Sequence, residues 1–195
     1  MLTRAALAGA VLIIAGVIWP LGPLADQLFA FHMTQHLLLA ALAAPLLVLG
    51  GVEFPIRPVF AWVLFVGMFL FWHIPGPYQW MALHHLTLIE LALILAAAIP
   101  FWSVALGENV LNDGARALYV MTAALVMDLP GVVMLFAPRA FCAMPGENAA
   151  AFGITPLEDQ QIAGLLMWVP ANLVFFAIAT FLFARWLQPK RNVAV

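Results

Sequence analysis

Two histidines in the run FHMTQH, His32 and His36, lie four residues apart in the sequence. On a helix this spacing puts both imidazoles on one face, one turn apart. Neutral imidazole binds zinc, copper, iron and nickel. The pair is therefore predicted to chelate one metal ion.

The other three histidines are His73 in FWHIPGPY and the adjacent His84 and His85 in MALHHL. All five histidines are predicted to lie toward the outer face of a bundle of membrane-spanning helices, whose apolar sequence is described below. Thioether and thiolate ligands select Cu(I). Sulfur-containing residues near the histidines would therefore favour copper as the bound metal. These are Met33, Met81, Met134, Cys142 and Met144. The candidate metal ligands are His32, His36, His73, Met33, His84 and His85.

A structural alternative applies to each of these side chains by itself. Interfacial histidines can bond headgroups, water or backbone carbonyls, and methionines can fill gaps between helices. The functional interpretation depends on the set, above all on His32, His36 and His73. Ionisable side chains inside a membrane are energetically unfavourable and are mostly functional. This favours the functional interpretation of the three histidines.

The elements that position these residues are apolar. Of 195 residues, 66% are hydrophobic and only 8% are charged, whereas a soluble domain carries about 25% charged residues. The sequence predicts an all-α, polytopic transmembrane bundle that forms a single domain over residues 1–195. Six spans are expected, at about 5–21, 28–50, 58–74, 80–104, 115–137 and 160–186.

Basic residues predict the orientation, because Lys and Arg accumulate in cytoplasmic loops. With the N-terminus inside, six of the seven basic residues are cytoplasmic, and both termini are too. The first span is expected to be a retained helix rather than a cleaved signal. The inside set is Arg4, Arg57, Arg116, Arg185, Lys190 and Arg191, and Arg139 lies outside.

Two acids are predicted to lie deep in the spans, Glu90 in the fourth and Asp128 in the fifth. A carboxylate against lipid is expensive, so both are expected to face the bundle interior. Asp159 is expected to cap the sixth span. Gly164 should allow close helix approach, and Pro170 should bend the last helix.

Several classes of function are excluded or disfavoured. The net charge is −2 and no basic cluster is present, so nucleic acid is not expected as a partner. Cys142 is the single cysteine and cannot form an intrachain disulfide. The motifs of zinc proteases, nucleophile-elbow hydrolases and phosphate-binding loops are missing, and the chain is not expected to be an enzyme.

The blocks FHMTQHLLLALAAPLLVLG, FWHIPGPY and LEDQQIAGLLMWVP resemble the CtaG family of polytopic cytochrome c oxidase assembly factors. The likeness runs from about His32 to Trp186. Its H-M-x-Q-H motif carries over onto His32, Met33, Gln35 and His36, and its W-H-x-P motif onto Trp72, His73 and Pro75. Members often have a Glu-His pair in the fourth of these spans, but here Glu90 is followed by Leu91.

The resemblance implies a non-enzymatic factor that binds or delivers copper, as Cu(I), at the outer face of the bacterial plasma membrane. Its implied partners are a haem-copper oxidase subunit or a copper chaperone, within the lipid bilayer. Three alternatives remain open. They are a metal-free scaffold for an oxidase subunit, a histidine-ligated membrane metalloenzyme, and a haem protein with axial histidines.

Overall fold

A computed structural model describes residues 2–54, 56–107, 110–142 and 148–188. These ranges are helical and contain no strand, which confirms the all-α prediction. The helices are α1 (Leu2–Ile18), α2 (Leu21–Ala25), α3 (Phe29–Leu37), α4 (Ala44–Leu49), α5 (Pro58–Trp72), α6 (Pro75–Leu83), α7 (Thr87–Leu106), α8 (Asp113–Phe136) and α9 (Pro156–Leu187). A π-helical segment, Leu38–Ala43, joins α3 to α4, and a short 3-10 turn covers Ala149–Phe152.

Four continuous helices are long and apolar enough to cross a membrane: Phe29–Leu49, Thr87–Leu106, Asp113–Phe136 and Pro156–Leu187. A fifth candidate is the pair α5 and α6, which is bent by 71°. The apolar helix α1 is shorter, with 17 residues. Six spans and two cytoplasmic termini therefore stay predictions, and Met144, Lys190 and Arg191 lie outside the described residues.

The predicted fourth span, 80–104, is wrong at its start. The chain makes a separate helix, α6, that ends at Leu83, and α7 begins only at Thr87. Pro75 starts α6 at a position where a missing N–H costs nothing. His85 has a φ of 54°, a left-handed conformation that interrupts the helix between α6 and α7. Glu90 therefore lies in the first turn of α7 and not in the middle of a span, where the sequence had placed it.

One face of α8 is an exposed apolar stripe, as a lipid-facing helix requires. Its residues recur at helical spacing and are each more than half exposed. They are Leu118, Leu125, Leu129, Val133 and Phe136. The opposite face of α8 packs along α9.

The α8–α9 contact depends on two glycines. A Cβ on Gly164 would lie 2.6 Å from the Gly131 carbonyl oxygen and 2.8 Å from the Leu135 nitrogen. Both obstacles are backbone atoms, which cannot turn aside. The close approach predicted for Gly164 is confirmed, and Pro170 lies inside α9 as expected.

The π-helical segment follows the histidine pair within the continuous helical run Phe29–Leu49. Ala44 donates its backbone N–H to the carbonyl of Leu39, five residues back. In that register the Ala40 carbonyl would meet the nitrogen of Pro45, which has no proton. The Trp102 indole donates instead, at 2.6 Å from the Ala40 oxygen. Helix α7 thus supplies the bond that the local backbone cannot.

Candidate metal centre

A buried group of ionisable side chains joins α3 to α7. Nε2 of His32 lies 3.2 Å from Oε2 of Glu90, and Nε2 of His36 lies 3.1 Å from Oε1 of the same carboxylate. The two rings lie 4.5 Å apart, centre to centre. His32 and Glu90 are fully buried, and His36 is 1% exposed.

Apart from these ion-pair contacts, both nitrogens of each imidazole and both carboxylate oxygens have no hydrogen-bond partner among the described residues. One ligand atom from each of the three residues lies within 4.8 Å of the others. Ligands about 2.0–2.2 Å from a common ion are separated by roughly 3.3 Å in a tetrahedral site. The nitrogen–oxygen spacing therefore fits a shared metal ion.

The helix ends explain why these three residues meet. His32 is the fourth residue of α3, and Glu90 is the fourth residue of α7. Each is therefore about 5 Å from the start of its helix, at about 1.5 Å per residue. His36 follows His32 by one turn on the same face. The expectation that Glu90 faces the interior is confirmed, but its predicted mid-span depth is wrong because α7 begins seven residues later than expected.

His73 lies beside this group, at the bend between α5 and α6. Its ring is 5.4 Å from that of His36, and it is 8% exposed. Nδ1 lies 2.6 Å from the Phe69 carbonyl oxygen. Because a carbonyl can only accept, Nδ1 must donate, which leaves the lone pair on Nε2. That Nε2 is buried and has no hydrogen-bond partner among the described residues.

The three histidines expected to converge are thus neighbours, but the tight group consists of His32, His36 and Glu90. Met33 is buried and lines a small cavity together with His36. Its thioether is therefore near the centre.

The remaining two candidate ligands lie apart from the centre. His84 and His85 are exposed and sit in the turn between α6 and α7. The His84 ring stacks on Trp80, and its Nδ1 donates to the Trp80 carbonyl at 2.7 Å. His85 lines a different cavity, next to α1 and α2. The structure does not bring either residue to the buried group.

Asp159 does not cap its own helix, so that expectation is wrong. Thr155 and Glu158 form the capping box of α9. Asp159 instead accepts the backbone N–H groups of Phe29 at 2.7 Å and Ala30 at 3.0 Å. These are the first two residues of α3, whose preceding residue offers no side-chain cap.

Two glutamines hold the surrounding elements. Gln160 accepts the backbone N–H groups of Phe141 and Cys142 and donates to the Met134 carbonyl, tying the end of α8 to α9. Gln35 donates at 2.8 Å to the Val17 carbonyl at the end of α1. These bonds tie α9 to the end of α8 and the histidine helix α3 to the end of α1.

Asp128 is half-buried, and both of its carboxylate oxygens accept the Asn172 side-chain amide at 2.9 Å. It faces α9 rather than lipid, as expected. The opposite end of the bundle carries a separate ionic cluster, in which Asp113 contacts Arg116 and Arg185.

Glu90 is a candidate ligand and Gln160 a positioning residue, and the sequence alone assigned neither of them to the site. For Glu90 a signal existed, because acids are favoured in the first turn of a helix. Thr87, three residues earlier, could have marked that start. Gln160 bonds to backbone groups 18 to 26 residues away, and no local pattern indicates those partners.

Comparison with known proteins agrees with the resemblance. The model of the cytochrome c oxidase caa3 assembly factor family, Caa3_CtaG, matches residues 2–54 and 51–189. Comparison with curated proteins and with solved structures gave no match. Because the two matched segments cover nearly the whole sequence, the chain belongs to the cytochrome c oxidase caa3 assembly factor family.

Proposed function

We propose that this chain binds a copper ion through His32, His36 and Glu90 and passes it to a subunit of the oxidase it helps to assemble. The observation that carries the proposal is the buried Glu90 carboxylate, which contacts two buried imidazoles and, like them, has no other hydrogen-bond partner among the described residues. A buried carboxylate needs a compensating positive charge. A metal ion bound by all three side chains would supply it.

The proposal favours copper over zinc for two reasons. The family assembles an oxidase of the haem-copper class, whose maturation requires copper. Met33 also places a thioether near His36, and thioethers are soft ligands that select Cu(I). A haem is less suitable, because the cavity against His36 measures about 30 Å³ and has no room for a porphyrin.

Transfer requires that the ion can leave a buried site. His73 offers a route, because it neighbours His36 and also lines a cavity of about 330 Å³ between α5 and α8. Its unprotonated Nε2 would accept copper from the buried group and present it toward that cavity. The positive-inside bias supports an orientation in which this end of the bundle lies at the outer face of the plasma membrane. In this account the protein carries and hands over a metal and catalyses no reaction.

Copper loading of the oxidase tests the proposal in cells. Cells that lack the native protein would be complemented with wild-type protein, His36→Ala or His84→Ala. We expect His36→Ala to reach the membrane in normal amount but to yield oxidase with a reduced copper-to-haem ratio. His84→Ala removes an exposed histidine and should restore normal loading. Full copper loading with His36→Ala would overturn the proposal and favour a metal-free scaffold.

A further inference from the structure

We propose that the small cavity beside His36 is a second, thioether site for Cu(I). Three methionines line it, and each comes from a different helix: Met33 from α3, Met127 from α8 and Met167 from α9. All three are less than one-tenth exposed. The inference deepens the proposed function and rests on it, because it assigns the place that copper occupies next to the histidine centre.

The size and lining of the cavity suit a small, soft metal ion. Its volume, about 30 Å³, is enough for one small occupant. Most of the lining is apolar, including Phe69 and Phe175. The polar groups at the cavity wall are His36 and the pair of Asp128 and Asn172, which already bond to each other.

The chemistry of the lining selects the metal. Thioethers are neutral and soft, so they bind Cu(I) and discriminate against Zn(II), which prefers imidazole, thiolate and carboxylate. Asp128 contributes a carboxylate at the same cavity, and that charge would offset the single charge of Cu(I).

His36 connects the two sites. Its Nε2 faces Glu90, and its Nδ1 is buried and has no hydrogen-bond partner among the described residues. The same ring lines the methionine cavity. A Cu(I) ion would therefore pass between the histidine centre and the thioethers along the His36 ring, which contacts both. Zn(II) would be confined to the histidine centre.

Metal titration of the full-length protein in detergent, under anaerobic conditions, tests the inference. The probes are Cu(I), measured by competition with a chromophoric chelator, and Zn(II). The test variant is Met127→Leu/Met167→Leu, in which each change nearly conserves volume. The matched control is Met68→Leu/Met121→Leu, which removes two half-buried methionines that do not line this cavity.

We expect wild-type protein to bind more Cu(I) than Zn(II) and to show copper–sulfur scattering in X-ray absorption spectra. The test variant should lose the additional Cu(I) and the copper–sulfur signal while its Zn(II) affinity is unchanged. The control variant should behave like wild type. Equal Cu(I) binding in the test variant and wild type would overturn the inference while leaving the histidine site intact. Wild-type protein that binds neither metal would overturn this inference and the proposed function together.

Discussion

Asp159, at the start of α9, accepts the backbone N–H of Phe29 at 2.7 Å, across 130 residues of sequence. Phe29 begins the helix that carries His32 and His36. One carboxylate thus satisfies the first two N–H groups of the histidine helix and fixes its start against α9. Asp159 of the LEDQQ sequence therefore has a structural role, because it holds the helix that carries two of the candidate metal ligands.

Replacing Asp159 by Ala should destabilise the protein by about 1–3 kcal/mol, because two buried backbone donors would lose their acceptor. The melting temperature in detergent measures the effect. Glu158→Ala is the neighbouring control, since it removes an exposed capping contact and should cost less. Equal melting temperatures for Asp159→Ala and wild type would contradict this role for Asp159.

Gly164→Ala should force α8 and α9 apart, because the new Cβ would meet two backbone atoms closer than 3.0 Å. We expect a loss of about 1–3 kcal/mol from overpacking and a lower melting temperature. Gly67→Ala is the control, because a Cβ at that position of α5 has no neighbour within 4 Å. If Gly164→Ala is as stable as Gly67→Ala, the close packing of these two helices is not required.

Trp102→Phe should leave the Ala40 carbonyl without its donor. An unsatisfied buried acceptor costs about 1–3 kcal/mol, and the π-helical segment beneath His36 should become less stable. Hydrogen exchange of amides 38–44 reports this loosening directly. Trp62→Phe is a suitable control because its indole N–H has no hydrogen-bond partner among the described residues. Unchanged exchange in Trp102→Phe would contradict the role of this indole.

Cys142 should not be a metal ligand in the folded protein. It lies between α8 and α9, and burial raises the pKa of its thiol to about 12. The thiol therefore stays protonated from neutral pH up to about that value, whereas metal binding and alkylation both need the thiolate. Cys142→Ser should keep its copper content, and iodoacetamide should label the native protein slowly at pH 7 and at pH 9. Fast labelling at pH 7, or copper loss in the serine variant, would show a reactive thiol.

The sequence predicted the helices and the histidine pair because both signals are local. A four-residue spacing puts His32 and His36 on one face in any helix. The start of α7 was misplaced because the chain remains apolar through Trp80, Met81 and Leu83, so hydrophobicity alone does not reveal the break. That error placed Glu90 too deep and hid the third member of the centre.

The partners of Asp159 and Gln160 could not be predicted in the same way. Their acceptor and donor groups are backbone atoms of other helices, and such atoms carry no sequence signature. The local rule favoured Asp159 as the cap of its own helix. Because α3 packs against α9, Asp159 bonds to the start of α3 instead.

The copper affinity of Glu90→Gln tests the central claim most directly. Glutamine keeps the shape of the side chain but removes the charge and one carboxylate oxygen that contact the two imidazoles. Purified full-length wild-type protein, Glu90→Gln and Glu53→Gln would be titrated with Cu(I) in the presence of a competing chelator, with Glu53 as an exposed acid outside the centre. We predict that Glu90→Gln weakens copper binding by at least about 10–100-fold, the loss typical when even an outer-shell partner of a metal ligand is removed, whereas Glu53→Gln binds like wild type. Identical copper affinities in all three proteins would contradict a metal centre formed by His32, His36 and Glu90.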